Sequence, residues 1–527
     1  MSDRNKLNTK ASGVIAVAVM FSRVLGLVRE IVFNALFGTA AMGIFIVAFR
    51  VPNLLRDLFA EGALSTAFIT VFSQKIEKEG EQSAWALASK MMTLAVVFMS
   101  GVTILGIVFS RPLIGLLAGG FKPEYRETTI LLTQIMFPFI LMVSLAALVM
   151  GMLNSRNIFG VPAMASSFFN IGSIVGGLLI GWWFDPAFGQ RALIGLAIGT
   201  LIGGLLQLVI QLPSLRRVGF AFRPDFRWND PGIRRILVLM VPSVIAASAV
   251  QINVMVNTSF ATHLGSEAVT WLNSAFRLMQ LPLGIFGVAV ATITLPVVSR
   301  IAAQTDRAEF GPTLGKALRL AAFLTLPSAV GLYFLAQPII SLIYERRAFT
   351  AVDSLQTGFA LQSYAMGLVA YAWVKVLSPA FYAIDKKWTP MFVSFASIAM
   401  NYGLNHLFIF QLGFGHKGLA LSTSLSAIMN FLVLYLLMHR HVQAMQTVRL
   451  MGTMARCAVG AVVLGVICWI GVTEGHSWLT SQFLWQKIAL LGGIITTGAV
   501  AYLAVCFVLR VEEVQEAVRI ARRKLRR

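Results

Sequence analysis

Charge is scarce in this chain, and negative charge most of all. Asp, Glu, Lys and Arg together make up 12% of 527 residues, with 22 acidic side chains against 43 basic ones. Soluble domains carry about a quarter charged residues, so a water-soluble globular enzyme is excluded. Cysteine is almost missing. Cys457, Cys468 and Cys506 all lie in apolar stretches near the C-terminus, without the number or spacing of a disulfide framework or a zinc site. They read as buried thiols. The six histidines are scattered, and no H-E-x-x-H occurs. No G-x-x-x-x-G-K-[ST] stretch occurs either, which argues against nucleotide hydrolysis by the chain itself.

Apolar length is what the chain has instead: 57% of residues are hydrophobic and mean hydropathy is +0.78. A bilayer crossing needs about 20 largely apolar residues. Fourteen such segments follow one another, near 11–36, 41–72, 85–110, 128–153, 160–183, 192–213, 236–262, 269–299, 316–336, 355–382, 389–411, 417–438, 455–472 and 486–509. The polar, basic first ten residues precede an apolar run too long and too arginine-rich for a cleaved signal, so the first span is expected to be retained. The net charge of +21 could suit a nucleic-acid binder, but its placement points elsewhere. Lys and Arg concentrate in every second connection: Lys75 and Lys78, Arg156, six arginines in 214–235, Arg300 and Arg307, Lys386 and Lys387, Arg440 and Arg449, and the tail. The intervening connections at 37–40, 184–190, 263–268, 412–416 and 473–485 carry none, and only 111–127 and 337–354 carry a few. This alternation puts both termini in the cytoplasm.

Two stretches repeat. Residues 48–60 read AFRVPNLLRDLFA and residues 275–287 read AFRLMQLPLGIFG, at an offset of 227. GVPAMASSFFNI at 160–171 and WTPMFVSFASIA at 388–399 align at nearly the same offset. Spans two and eight are therefore equivalent, as are five and eleven. An even number of spans separates them, so the halves share one orientation, as in transporters that hold substrate between parallel repeats. The expected fold is an all-α integral membrane protein of fourteen transmembrane helices. Spans 1–6 (1–213) and 7–12 (236–438) form two parallel six-helix lobes joined by a basic linker (214–235), and 439–527 adds spans 13–14 and a basic tail.

Charges stand inside these spans. Arg23 and Arg29 fall in the first, Arg50, Arg56, Asp57 and Glu61 in the second, Arg277 in the eighth and Lys375 in the tenth. Each mid-membrane charge costs at least about 2.5–3.5 kcal/mol, so it needs a wet cavity or a partner. The cations outnumber Glu30, Asp57 and Glu61. Arg50 and Lys375 can be explained by snorkelling to an interface. Arg23 and Arg29 sit about 120° apart on their helix, within reach of one wide cavity. With Arg56 and Arg277 they describe a cationic central cavity. Guanidinium forks match phosphate bidentately, so the expected cargo is anionic and phosphate-bearing.

These residues carry a resemblance. FSRVLGLVRE at 21–30 and RVPNLLRDLFAEGALSTAF at 50–68 resemble the start of the MurJ/MviN family of lipid II flippases. SAFRLMQLPLGIFGVAVATITLP at 274–296 and VKVLSPAFYAIDKKWTP at 374–390 are similar to its eighth span and its tenth-to-eleventh connection. The resemblance implies the multidrug/oligosaccharidyl-lipid/polysaccharide exporter fold, a place in the bacterial inner membrane, and passage of undecaprenyl-linked lipid II to the periplasmic leaflet by alternating access. It implies that Arg23, Arg29, Arg56 and Arg277 match essential cavity arginines, with Ser22, Asn53, Glu61 and Gln280 in support. Spans 13–14 are implied to form a groove for the lipid tail. Membrane lipids and other cell-wall synthesis proteins are the further partners implied. Gly26, Gly62, Gly284 and Gly287 either permit lobe closure or simply pack.

Two departures stand out. Gly43 replaces an early span-2 Asp of some members, and Phe276 and Gln280 replace acidic residues of span 8, which makes this cavity more positive. Some relatives bind sodium through Asp and Asn. The matching positions here, Asn257, Asn401 and Asn405, lack a carboxylate, which weakens an ion site and leaves interhelical amide bonding as the plainer role. Coupling to sodium or to the membrane potential stays open, and no cofactor is expected. A cation-coupled multidrug exporter would want carboxylates in the cavity. A flippase for another undecaprenyl-linked glycan fits the same physics. An enzyme acting on lipid diphosphates would need Asp57 and Glu61, one turn apart, as a working pair; a salt bridge from Arg56 to Asp57 is the simpler expectation.

Overall fold

The computed structural model describes residues 2–304, 306–442, 445–479, 481, 483–516 and 519; the side chains of 2–16, 60–63 and 246 fall outside the description. Among the described residues the secondary structure is helical throughout, apart from an isolated bridge between Arg346 and Phe349. Hydrocarbon offers no hydrogen bonds to backbone groups, so apolar spans satisfy them internally as helices. Among the described residues, ten helices are long and apolar enough to cross a membrane, or up to twelve if each of two bent pairs is one span. The shortfall from fourteen has physical reasons. Residues Val17–Phe59 count as one of the ten, yet at 43 residues the run is about twice what a bilayer core needs, and it is two helices joined at a kink. It is interrupted at Gly38 (φ 73°, ψ 170°), between the first two segments expected from sequence. The helix Trp388–His406 interleaves Ser, Asn and Tyr with its apolar residues, and it is not among the ten.

The chain divides into two compact units, Met1–Val269 and Thr270–Arg527. The first contains α1 (Ser2–Leu55), α2 (Ser65–Glu79), α3 (Glu81–Val108), α4 (Ser110–Leu117), α5 (Pro123–Met136), α6 (Phe139–Ser155), α7 (Gly160–Phe184), α8 (Leu193–Val209), α9 (Leu212–Arg217) and α10 (Pro231–Thr262). Helices α7 and α8 make the most intimate pair. Gly195, Gly199 and Gly203 recur every four residues on α8, and a Cβ at Gly199 would sit 2.3 Å from the Gly177 nitrogen. Only glycine lets the two backbones approach this closely.

The basic linker is no free tether. Its extended stretch before α10 lies along one face of α3. Phe220 packs on Trp85 (5.3 Å between ring centroids), and the Arg223 and Asp225 amides donate to Ser89 Oγ at 3.5 Å and Thr93 Oγ1 at 3.2 Å. Lys90 Nζ reaches Asp230 Oδ2 at 2.7 Å, while Asp230 Oδ1 accepts from the Gly232 amide at 2.8 Å and caps α10. Burial pushes the Asp230 carboxyl up, but Lys90 and the Gly232 amide outweigh it and hold the group below its ordinary value.

The second unit follows with α11 (Ser266–Pro282, which begins at the join), α12 (Val288–Ala302), α13 (Phe310–Phe334), α14 (Ala336–Tyr344), α15 (Ala351–Ala365), α16 (Leu368–Ala383), α17 (Trp388–His406), α18 (Gly415–His441), α19 (Thr447–Glu474), α20 (His476–Leu479) and α21 (Leu484–Val508). Helices α13, α19 and α21 share a core in which Phe323, Leu464, Leu491, Ile494 and Tyr502 are buried together with all three cysteines, which are free thiols.

Both units break regular helix at equivalent places. A π-helical stretch runs Arg56–Leu64 in the first and Leu283–Gly287 in the second, and the two starts differ by the repeat offset of 227. Pro52 precedes one and Pro282 the other. Proline removes an i→i−4 bond and crowds the preceding turn, and widening to π register is one way to absorb this. Such stretches occur mostly at functional sites.

Candidate functional site

In the first unit the expected residues gather around α1 and the π-helical stretch. Asn170 of α7 donates through Nδ2 to the Ser22 carbonyl at 3.2 Å and to the Ser166 carbonyl at 3.1 Å, which fixes the height of α1 against α7. Gly26 faces the same Asn170, where an added Cβ would make ordinary contact at 3.7 Å. Arg23 is exposed and Arg29 half-buried. The Arg29 guanidinium lies 5.0 Å from the centre of the Phe169 ring, in cation–π contact.

Asp57 is a hub on the π-helical stretch. Its Oδ1 accepts from Arg56 Nη2 at 2.8 Å and Nε at 3.1 Å, both arms of the guanidinium fork on one oxygen. Its Oδ2 accepts from Asn53 Nδ2 at 3.4 Å and from Gln251 Nε2 of α10 at 3.1 Å. Asp57 thus orients Arg56 and ties the π-helical stretch to α10, a structural use of that carboxylate. The Glu61 side chain lies outside the described residues. Gln251 carried no signal in the sequence, because it is a neutral amide 194 positions from the carboxylate it binds.

In the second unit, Arg277 is half-buried on α11 and Gln280, nearly one turn on, is exposed. Asn401 and Asn405 are fully buried on α17, one turn apart, while Asn257 belongs to α10 of the first unit. Ser422 of α18 donates to Asn405 Oδ1. One turn further along each helix stand Asn401, whose Oδ1 and Nδ2 both lack hydrogen-bond partners, and Ser426, whose Oγ lacks one. These donors are neutral amides and hydroxyls, a poor set for attracting a cation from water. Among the described residues no three His, Cys, Asp or Glu side chains gather as a metal site.

A second feature is an apolar trough between α13 and α19, about 550 Å³ in volume. Leu326, Val330 and Phe334 line one wall, and Ala461, Gly465 and Trp469 the other. Each set repeats at three- or four-residue spacing, so each is one helix face. Nearby, sequence reasoning overlooked Arg319, which is 4% exposed inside α13 and pairs with Glu513 at 2.9 Å. A lone arginine near a span end reads as snorkelling. The acidic run at 512–513, in a chain so poor in acid, was the available hint.

The fold defined by these helices is that of the multidrug exporters. An inward-facing MATE family transporter of the MOP superfamily superposes with a TM-score of 0.67 and 16% identity, over 82% of this chain and 98% of that one. A structure of lipid II flippase MurJ in an inward closed conformation superposes with a TM-score of 0.75 and 27% identity, over 95% of this chain and 99% of that one. The family model for lipid II flippase MurJ matches residues 33–489. The probable lipid II flippase MurJ of Vibrio cholerae is 34% identical over 95% of this chain and 96% of its own length. The lipid II flippase MurJ of Burkholderia cenocepacia is 31% identical over 93% and 95%. The chain belongs to the MurJ lipid II flippase family.

Proposed function

We propose that this protein carries lipid II across the bacterial inner membrane, from the cytoplasmic to the periplasmic leaflet, by alternating access. The observation that carries the reading is the family match over most of the chain, with named flippases among relatives that span nearly their whole lengths. In this reading the chain crosses the membrane fourteen times with both termini in the cytoplasm. Spans 1–6 and 7–12 form the transport frame.

Arg23, Arg29, Arg56 and Arg277 receive the diphosphate. A guanidinium offers five donors in a rigid fork and stays charged at any physiological pH. Its charge-assisted bonds to phosphate are roughly twice as strong as neutral ones. Asp57 keeps Arg56 oriented between cycles. Binding the doubly charged headgroup offsets the repulsion among the arginines, so the loaded site is less costly to enclose than the empty one. The polyprenyl tail stays in the membrane plane, and the α13/α19 trough takes part of it. With only neutral donors around Asn401 and Asn405, no step is assigned to sodium.

Native mass spectrometry of the purified protein tests this. Lipid II, undecaprenyl phosphate and a lipophilic cationic drug are offered in equal amounts, with Arg29→Ala in parallel. Selective retention of lipid II, lost in the variant, is the expected result. Retention of the drug would move the protein to the exporters. Equal retention of both lipids would make it a broader glycan-lipid carrier. In a strain that depends on this chain, Arg29→Ala and Arg277→Ala abolish growth while the protein stays in the membrane, and Lys at either site rescues poorly.

A further inference from the structure

A single buried guanidinium ties both ends of one helical hairpin to the same neighbour. Arg319 Nε donates to Glu513 Oε1 at 2.9 Å, Nη1 donates to Gln446 Oε1 at 2.9 Å, and Nη2 lies 3.6 Å from Glu512 Oε2. Gln446 immediately precedes α19, in left-handed conformation (φ 53°), and Glu513 follows α21. Arg319 and Glu513 are only 4% and 7% exposed.

Two apolar side chains of similar volume would hold such helices together as well as an ion pair does, because both charges must first be desolvated. What a guanidinium adds is direction, since its planar donors fix Glu513 and Gln446 relative to each other. Glu513 even keeps one oxygen, Oε2, buried without a hydrogen-bond partner. The arrangement favours geometry over stability.

The geometry it fixes is that of the trough. Arg319 lies seven residues before Leu326, which puts it on the same face of α13 as Leu326, Val330 and Phe334. Two contacts set how far α13 stands from α19. One is the Arg319 cluster, about two turns before Leu326. The other is Gly465, inside the trough, where a Cβ would meet Phe334 at 2.9 Å and Val330 at 3.2 Å. We propose that Arg319, Glu513 and Gln446 form a clamp that sets the spacing of α13 and α19, and so the width of the trough in which a polyprenyl chain can lie. The proposal rests on the reading above that the trough takes the lipid tail. It makes Arg319 a positioning residue for the tail, remote from the headgroup arginines.

The hairpin keeps other anchors when the clamp is removed. Tyr502 donates to the Phe323 carbonyl at 2.8 Å, and the shared apolar core remains. The test uses full-length protein and two probes with one headgroup, lipid II with its undecaprenyl chain and a short-chain analogue. Arg319→Gln and Glu513→Gln are expected to retain the long-chain probe about tenfold less, with the short-chain probe unchanged. The swap of Arg319→Glu with Glu513→Arg restores the long-chain preference, which a loss of fold would not allow.

Ala458→Leu, which fills the trough from an exposed position in its lining, is the control for the underlying reading. If it leaves the chain-length preference intact, the trough does not hold the tail and both readings fail. If it removes the preference while Arg319→Gln and Glu513→Gln keep it, the clamp alone is overturned. Equal loss of both probes in the two clamp variants, with no recovery in the swap, also overturns it.

Discussion

Asp57 illustrates how one residue can be read correctly in kind and incompletely in role. Its pairing with Arg56 follows from adjacency, and the fork is there. Its bond to Gln251 does not follow, because a neutral amide 194 positions away leaves no local pattern. Asp57→Ala should therefore lose more than an ion pair. A charge-assisted hydrogen bond contributes about 1.5–3 kcal/mol, and two helices lose a shared acceptor. Gln251→Leu alone should cost about 1 kcal/mol. Thermal unfolding of both variants and their combination in detergent checks this, and strict additivity would show that the two residues do not interact. The arginines were legible as types, since cations inside apolar spans stand out. Arg319 was not, because sequence cannot say which arginine near a span end is covered and which reaches water.

Among elements, apolar runs translated largely into helices, although turns interrupt several of the fourteen segments, as at Phe137–Pro138, Leu335 and Met366–Gly367. Irregularities were harder to read. The linker looked like a loop, and its contacts with α3 depend on isolated Ser, Thr and Lys side chains that periodicity ignores. Its acid sensitivity can be worked out. The Asp230 carboxyl is held below its ordinary value in the fold, so its contribution is complete above the ordinary range near about 3.9 and disappears as pH falls through the lowered value. Hydrogen exchange across 220–230 should stay slow between neutral and mildly acidic pH and quicken only on strong acidification. Asp230→Asn keeps the helix cap but should quicken it at every pH. Fast exchange in the native chain at neutral pH would mean the strap is not held. The α7/α8 pair makes a second prediction. Gly199→Leu should abolish accumulation of folded protein, whereas Gly101→Leu, with nothing within 4 Å of an added Cβ, should be tolerated.

For the whole molecule, composition decided the class, since it does not depend on any single contact. The duplicated π-helical stretches went unpredicted, although the two prolines beside them were visible. Charge gives the prediction at this scale. An inside-negative potential favours outward movement of an anion, by about 2.3 kcal/mol per uncompensated charge per 100 mV, and it draws an empty cationic site back inward. In proteoliposomes with an imposed potassium diffusion potential, lipid II should cross faster toward the positive side. A rate indifferent to the potential would mean that the arginines and the diphosphate cancel throughout the cycle.

The strapped linker has a practical corollary for dissecting the chain. Lys90 and Asp230 hold the beginning of α10 beside α3, and Gln251 holds its middle at Asp57, so α10 is packed with the helices that precede it. Two co-expressed fragments cut within the linker would orphan α10 from that packing. A cut at the Leu264–Gly265 turn, where Gly265 has a φ of 108°, would keep α10 with its unit and α11 whole, moving only residues 265–269 out of the first unit, and is the break point at which a two-piece version should reassemble.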